Sequence, residues 1–170
     1  MKNKEKIYSM TALFLIFDQI IKLFIKTKMN LLDQIKVIPN FFSIFYIENK
    51  GAAFSILEGQ RIFLILISFI ILFIIDRYIT KENIKDKHLI VYYGMIIAGI
   101  LGNLIDRLLY DGVIDYLAFK IFGYDFPVFN LADICIVVGV ILLIIREFII
   151  WRKSNDRNRI RKWKIRCLFG

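Results

Sequence analysis

The stretch FNLADICIVVGVILLI, Phe129 to Ile144, sets one acid, Asp133, at the head of an apolar run suited to lipid. An ionised carboxylate in hydrocarbon is costly, so an acid in such a place points to a functional site and to a partner elsewhere in the chain. Asp115 lies 18 residues upstream, within DGVIDYLAFKIFGYDFPVFN, a segment that opens on an Asp-Gly turn and carries a second turn signal around Gly123. A hairpin there carries Asp115 outward and returns the chain, bringing the two acids together. Two carboxylates sharing a site cannot both ionise cheaply, so one keeps a proton near neutral pH. Such a pair can hydrolyse an amide: one carboxylate takes a proton from water while the other protonates the peptide carbonyl oxygen. Each acid also has a plainer reading. Asn130-Leu131-Ala132-Asp133 has the spacing of a helix N-cap with an acid at its third helical position, and Asp115 fits an exposed hairpin. A cap and a catalyst can coincide.

The elements that must position these acids follow from composition. With 58% hydrophobic residues and a mean hydropathy of +0.62, the 170-residue chain is too apolar for a soluble domain and reads as an integral membrane protein. Three further apolar runs, Ile7 to Ile25, Ile62 to Ile79 and Leu89 to Ile105, join the one at Asp133. At about 1.5 Å per residue each can cross roughly 30 Å of hydrocarbon. The predicted fold class is a membrane all-α bundle, four transmembrane helices with a small extracytoplasmic β element. The first run follows a basic MKNKEK, as a secretory leader would, but it holds Asp18 and Lys22 and continues into KTKMN rather than a small-residue cleavage site. It is expected to remain as the first helix. Between the first two runs, IKVIPNFFSIFYIENKGAAFSIL mixes β-branched and aromatic residues with turn signals at Pro39-Asn40 and Lys50-Gly51, which predicts short strands at the interface. No repeat or linker divides residues 1–170, so one domain is expected, with a basic tail at about 152–170.

Lys and Arg placement orients the bundle. The N-terminal tail, the loop after the second run and the C-terminal end together hold 16 of these residues, against seven on the opposite side. The positive-inside rule then puts both termini in the cytoplasm. On that orientation Asp18, Lys22, Asn49, Asn103, Asp106, Arg107, Asp115 and Asp133 all gather near the outer membrane face. The formal charge of +9 is mostly this topology signal, and the tail RNRIRKWKIR suits anionic lipid rather than nucleic acid. Cys135 and Cys167 are too far apart in topology to pair, and His88, the single histidine, reads as a helix-start surface residue rather than a zinc ligand. No metal or cofactor is implied. Asp18 and Lys22, spaced i and i+4, form a neutralising pair, and Ala98, Gly99 and Gly102 permit close helix packing.

DQIIK at Asp18 to Lys22, NKGAAFS at Asn49 to Ser55, GNLIDR at Gly102 to Arg107, VIDY at Val113 to Tyr116 and FNLAD at Phe129 to Asp133 resemble the successive signature blocks of the lipoprotein signal peptidase, or signal peptidase II, family. They occur in family order across most of the chain. The resemblance implies an aspartic endopeptidase of the bacterial cytoplasmic (inner) membrane, one that removes the signal peptide from prolipoproteins once the lipobox cysteine carries diacylglycerol. It makes Asp115 and Asp133 the catalytic dyad. Asn49, Gly51, Asn103, Arg107, Asn130 and Ala132 match positions that line the site, and Asp18 and Lys22 match the block in the first helix. Globomycin-type inhibitors are expected in the same groove, with membrane lipid as the surrounding partner. The basic tail past Trp151 lies outside the signature.

Two other classes compete. A small proton-coupled transporter also fits four short helices with membrane acids, but the 16-to-seven bias fixes one orientation and no inverted repeat appears. A non-catalytic membrane scaffold leaves the clustering of polar residues on one face without a reason.

Overall fold

The computed structural model describes the backbone of residues 2–51, 57–82 and 84–169, and the side chains of residues 3–51, 57–82 and 84–155. In chain order the elements are α1 (Lys2–Lys28), β1 (Gln34–Ile38), β2 (Phe42–Asn49), α2 (Arg61–Glu82), α3 (Lys87–Leu109), β3 (Val113–Ile121), β4 (Tyr124–Asp125) and α4 (Leu131–Phe169). Among the described residues, all four helices are long and apolar enough to cross a membrane. Each runs on past the apolar stretch that predicts it into positions rich in Lys and Arg, residues that a helix end at the polar boundary accommodates. The α4 helix continues beyond Ile144 through the backbone of the basic segment. Cys167 lies among the residues whose side chains are outside the described set.

The α3 helix is central and packs against α1, α2 and α4. Small residues let its neighbours approach: a Cβ added at Gly99 would stand 2.3 Å from the Ala132 carbonyl oxygen, and one at Gly102 only 2.5 Å from an Asp18 carboxylate oxygen. The expectation of close packing at these glycines therefore holds, and at Gly102 the close neighbour is a charged group. One apolar cluster, Ile7, Ile79, Ile84, Ile90, Tyr93 and Ile97, ties α1, α2 and α3 together at one end of the bundle. A second, Ile25, Tyr46, Ile114 and Tyr116, seals the other end under the sheet. By contrast α2 turns Phe63, Phe69, Phe73 and Ile74 outward, and α4 does the same with Ile141, Ile144 and Phe148. A continuous apolar surface of this kind is matched by lipid, not by water.

The loops at the end opposite Asp86 fold into one antiparallel sheet of order β1-β2-β3-β4. The β1–β2 turn passes through Asn40 at φ 58°, a backbone region that asparagine tolerates. The β3–β4 turn places Phe122 and Gly123 at φ 50° and 82°, the two positive values that a tight hairpin of the favoured twist needs. The central pairing joins β2 to β3, with Ile47 opposite Asp115 and Asn49 opposite Val113. After β4 the chain returns beside β3, Phe129 bridging Leu117. That return brings Asn130 and the start of α4 alongside Asp115. At the other end, Asp86 caps α3 by accepting from the His88 backbone N–H at 2.9 Å, and Arg146 of α4 donates to Asp86 at 2.8 and 3.0 Å. His88 is an exposed helix-start residue, as its sequence context predicts.

Candidate active site

Asp115 sits in the first half of β3, where Val113, Ile114 and Tyr116 are buried on both faces of the strand, and it is itself 2% exposed. Its two carboxylate oxygens accept from different amides: Asn130 Nδ2 at 2.7 Å and Asn49 Nδ2 at 3.0 Å. The exposed-hairpin alternative for Asp115 therefore fails. Asp133 lies in the first turn of α4 and accepts from Asn103 Nδ2 at 2.7 Å and from the Asn130 backbone N–H at 3.1 Å. Its own N–H donates to Asn130 Oδ1 at 3.0 Å, which completes a reciprocal helix cap. The cap reading of Asp133 is thus correct, and it coexists with a place in the site. Both acids line one cavity of about 560 Å³. Asn49, Asn103 and Arg107 stand at its polar end, while Ile134, Val137 and Val138 give it an apolar wall along α4. Burial, and then the charge of Asp133, push the Asp115 carboxyl up to about 7, against the opposing pull of the Asn49 and Asn130 amides and of Lys22.

The surrounding groups fix how the amides point. Asn49 Oδ1 accepts from the Gly51 N–H at 3.0 Å, so its Nδ2 is left facing Asp115. Arg107 donates to the carbonyls of Gly51 at 3.0 Å and of Asn103 at 3.3 Å, tying the end of β2 to α3. Lys22 is 1% exposed and bridges Asp18 at 2.9 Å and Asp106 at 2.8 Å, while also donating to Asn103 Oδ1 at 3.1 Å. Asp18 in turn accepts from the Ala132 N–H at 2.9 Å. All ten residues that the sequence singles out, Asp18, Lys22, Asn49, Gly51, Asn103, Arg107, Asp115, Asn130, Ala132 and Asp133, therefore fall in one connected network. Residues 52–55 of the NKGAAFS block lie outside the described residues.

Two members of this network escape the sequence reading as site residues. Asp106, 0% exposed, is the second anion of Lys22, and Gln19 Nε2 lies 3.2 Å from both Asp18 and Asp106 carboxylate oxygens. Asp106 stands three residues after Asn103, a spacing that puts both on one face of α3, and that signal was available in GNLIDR.

Residues 10–149 match the family described as Signal peptidase (SPase) II. The chain belongs to the signal peptidase II family. The lipoprotein signal peptidases of Staphylococcus aureus strains JH9 and Newman are each 43% identical to it over 130 residues, covering 76% of this chain and 80% of theirs. Two solved bacterial membrane enzymes, both studied by the in meso method, share its fold. The one at 2.3 Å resolution is 39% identical with a TM-score of 0.79 and covers 88% of this chain and 90% of its own. The other, at 1.9 Å, is 40% identical with a TM-score of 0.74 and covers 82% and 90% respectively. All five signature blocks lie inside the span that matches the signal peptidase II model. Membership makes the protein a multi-pass membrane protease, and the transporter alternative finds no support.

Proposed function

We propose that the protein is an aspartic endopeptidase that cleaves the signal peptide from bacterial prolipoproteins at the lipobox cysteine after its modification with diacylglycerol. The observation that carries this reading is the meeting of Asp115 from β3 and Asp133 from α4 in one cavity, each held by amide donors. Asp115 is the acid that keeps its proton near neutral pH, its carboxyl being raised to about 7. Asp133 is the base. It takes a proton from water as the oxygen attacks the scissile carbonyl carbon, while Asp115 passes its proton to the carbonyl oxygen. In the tetrahedral intermediate the C–N bond then breaks, the Cys amine takes up the proton held by Asp133, and the carbonyl re-forms as Asp115 recovers its own. Amide donors around both carboxylates hold them in place through the cycle.

The apolar wall of α4 below the acids suits the signal segment, and the lipid-facing surfaces of α2 and α4 keep the enzyme where a diacylglyceryl anchor resides. Both termini lie in the cytoplasm and the site near the outer face of the bacterial cytoplasmic membrane, a reading supported by the 16-to-seven distribution of Lys and Arg. Globomycin-type inhibitors occupy the same cavity. The test is incubation of purified, reconstituted protein with a prolipoprotein in its diacylglyceryl-modified and unmodified forms, with products read by mass spectrometry. Cleavage of the modified form alone, at the bond before the lipobox Cys, is expected. Equal cleavage of both forms, or of neither, contradicts the proposal.

A further inference from the structure

Lys22 on α1 reaches neither acid of the dyad directly, yet every group it contacts is one bond from the machinery. Its first partner, Asp18, accepts the N–H of Ala132, the residue before Asp133. Its second partner, Asp106, accepts the N–H of Ile114 at 3.2 Å, the residue before Asp115. Its third contact is Asn103 Oδ1, which also accepts from Asn130 Nδ2 at 3.1 Å. With two donors aimed at that oxygen, the Asn103 amide has one sensible orientation, and Nδ2 is left to donate to Asp133. A reversed amide would set its N–H groups against an ammonium and its oxygen against a carboxylate.

We infer that Lys22, with Asp18 and Asp106, is the positioning element of the dyad: one buried cation fixes the separation of β3 from α4 and orients the amide that serves Asp133. This rests on the dyad reading above and deepens it. A neutral donor in the same place would satisfy hydrogen bonds but would leave two buried carboxylates without a counter-charge, and it would lose the field that Lys22 exerts at Asp115. Among the described residues the charges that act on Asp115 are Asp133 on α4, which raises its carboxyl, and Lys22 on α1, which opposes it, with Arg107 on α3 sensing both acids. Asp18 on α1 and Asp106 on α3 reach Asp115 through their pairing with Lys22, and Glu48 on β2 is drawn away to Tyr46 and Lys26.

The sign of each charge gives the test. Lys22 favours the ionised form of Asp115, so Lys22→Met lets Asp115 hold its proton to higher pH, and the alkaline limb of kcat moves up. Asp106→Asn leaves the Ile114 contact an acceptor but removes an anion, so the limb moves down. Each displacement is expected to reach roughly half a pH unit or more. The readout is the pH profile of cleavage of a diacylglyceryl-modified prolipoprotein by full-length reconstituted protein. In both variants kcat falls by about tenfold or more while KM changes little, since neither residue touches substrate. A merely structural role lowers the amount of active protein and leaves the limb in place. An unmoved limb in Asp106→Asn overturns the inference even where Lys22→Met fails to accumulate in the membrane. Failure of the dyad reading looks different: the wild-type protein itself shows no cleavage, or Asp115→Asn still cleaves.

Discussion

At the scale of single residues, the two acids differ in surroundings more than in partners. Each accepts two N–H donors, but Asp115 on β3 is almost fully buried whereas Asp133 sits half-buried at a helix start. In the proposed mechanism the more buried acid, Asp115, is the one that keeps its proton. Because the proposed role of Asp115 needs its proton, which it loses as pH rises through about 7, turnover should hold below that value and then fall by about tenfold per pH unit above it. Steady-state cleavage rates between pH 5 and 9 check this; a rate still climbing at the alkaline end would remove Asp115 as the acid. Cys135 lies two residues beyond Asp133 and is 2% exposed, enclosed by helix packing rather than open to the cavity. Cys135→Ala should therefore keep turnover within about twofold, the range of an isolated small core change. A well-folded but inactive Cys135→Ala protein would argue for a thiol mechanism.

Elements explain what the sequence could and could not disclose. The four apolar runs, the turn at Gly123 and the return of the chain toward Asp133 are local patterns, and they were legible as such. The pairing of β2 with β3 was not, since nothing in either strand names its neighbour, yet it is this pairing that brings Asn49 to Asp115. Asp18 and Lys22 announced themselves by i, i+4 spacing, whereas the Asp106 contact comes from a different helix and appears only once α1 and α3 are packed. Gly102 shows the consequence of that packing. A methyl group there would meet Asp18 Oδ2, the oxygen that faces Lys22, at 2.5 Å and displace the carboxylate whose Oδ1 accepts from Ala132, so Gly102→Ala should cost about 1–3 kcal/mol and reduce cleavage. Gly123 has positive φ but open space around it, so Gly123→Ala should cost only about 1–2 kcal/mol of strain and leave cleavage near wild type. Thermal melts and cleavage assays on the two variants separate the cases; equal loss of activity in both would deny Gly102 its particular role.

For the whole molecule, the bundle sets an apolar surface toward lipid and gathers its buried charge at the sheet-covered end. Orientation then decides which compartment meets the cavity. With Cys135 and Cys167 removed, single cysteines at Lys85 and Asn155 should resist an impermeant thiol reagent in intact spheroplasts, and cysteines at Gln34 and Asp125 should label. Labelling at Lys85 from outside would turn the site toward the cytoplasm, away from translocated precursors. The most direct test of the central claim takes Asp115→Asn and Asp133→Asn, each inserted at wild-type level and reconstituted with a diacylglyceryl-modified prolipoprotein. Each substitution keeps a side chain of the same shape but removes the ability to pass a proton, so the account predicts a loss of at least about 10²-fold in cleavage by either variant. Processing at the wild-type rate by either one would contradict it.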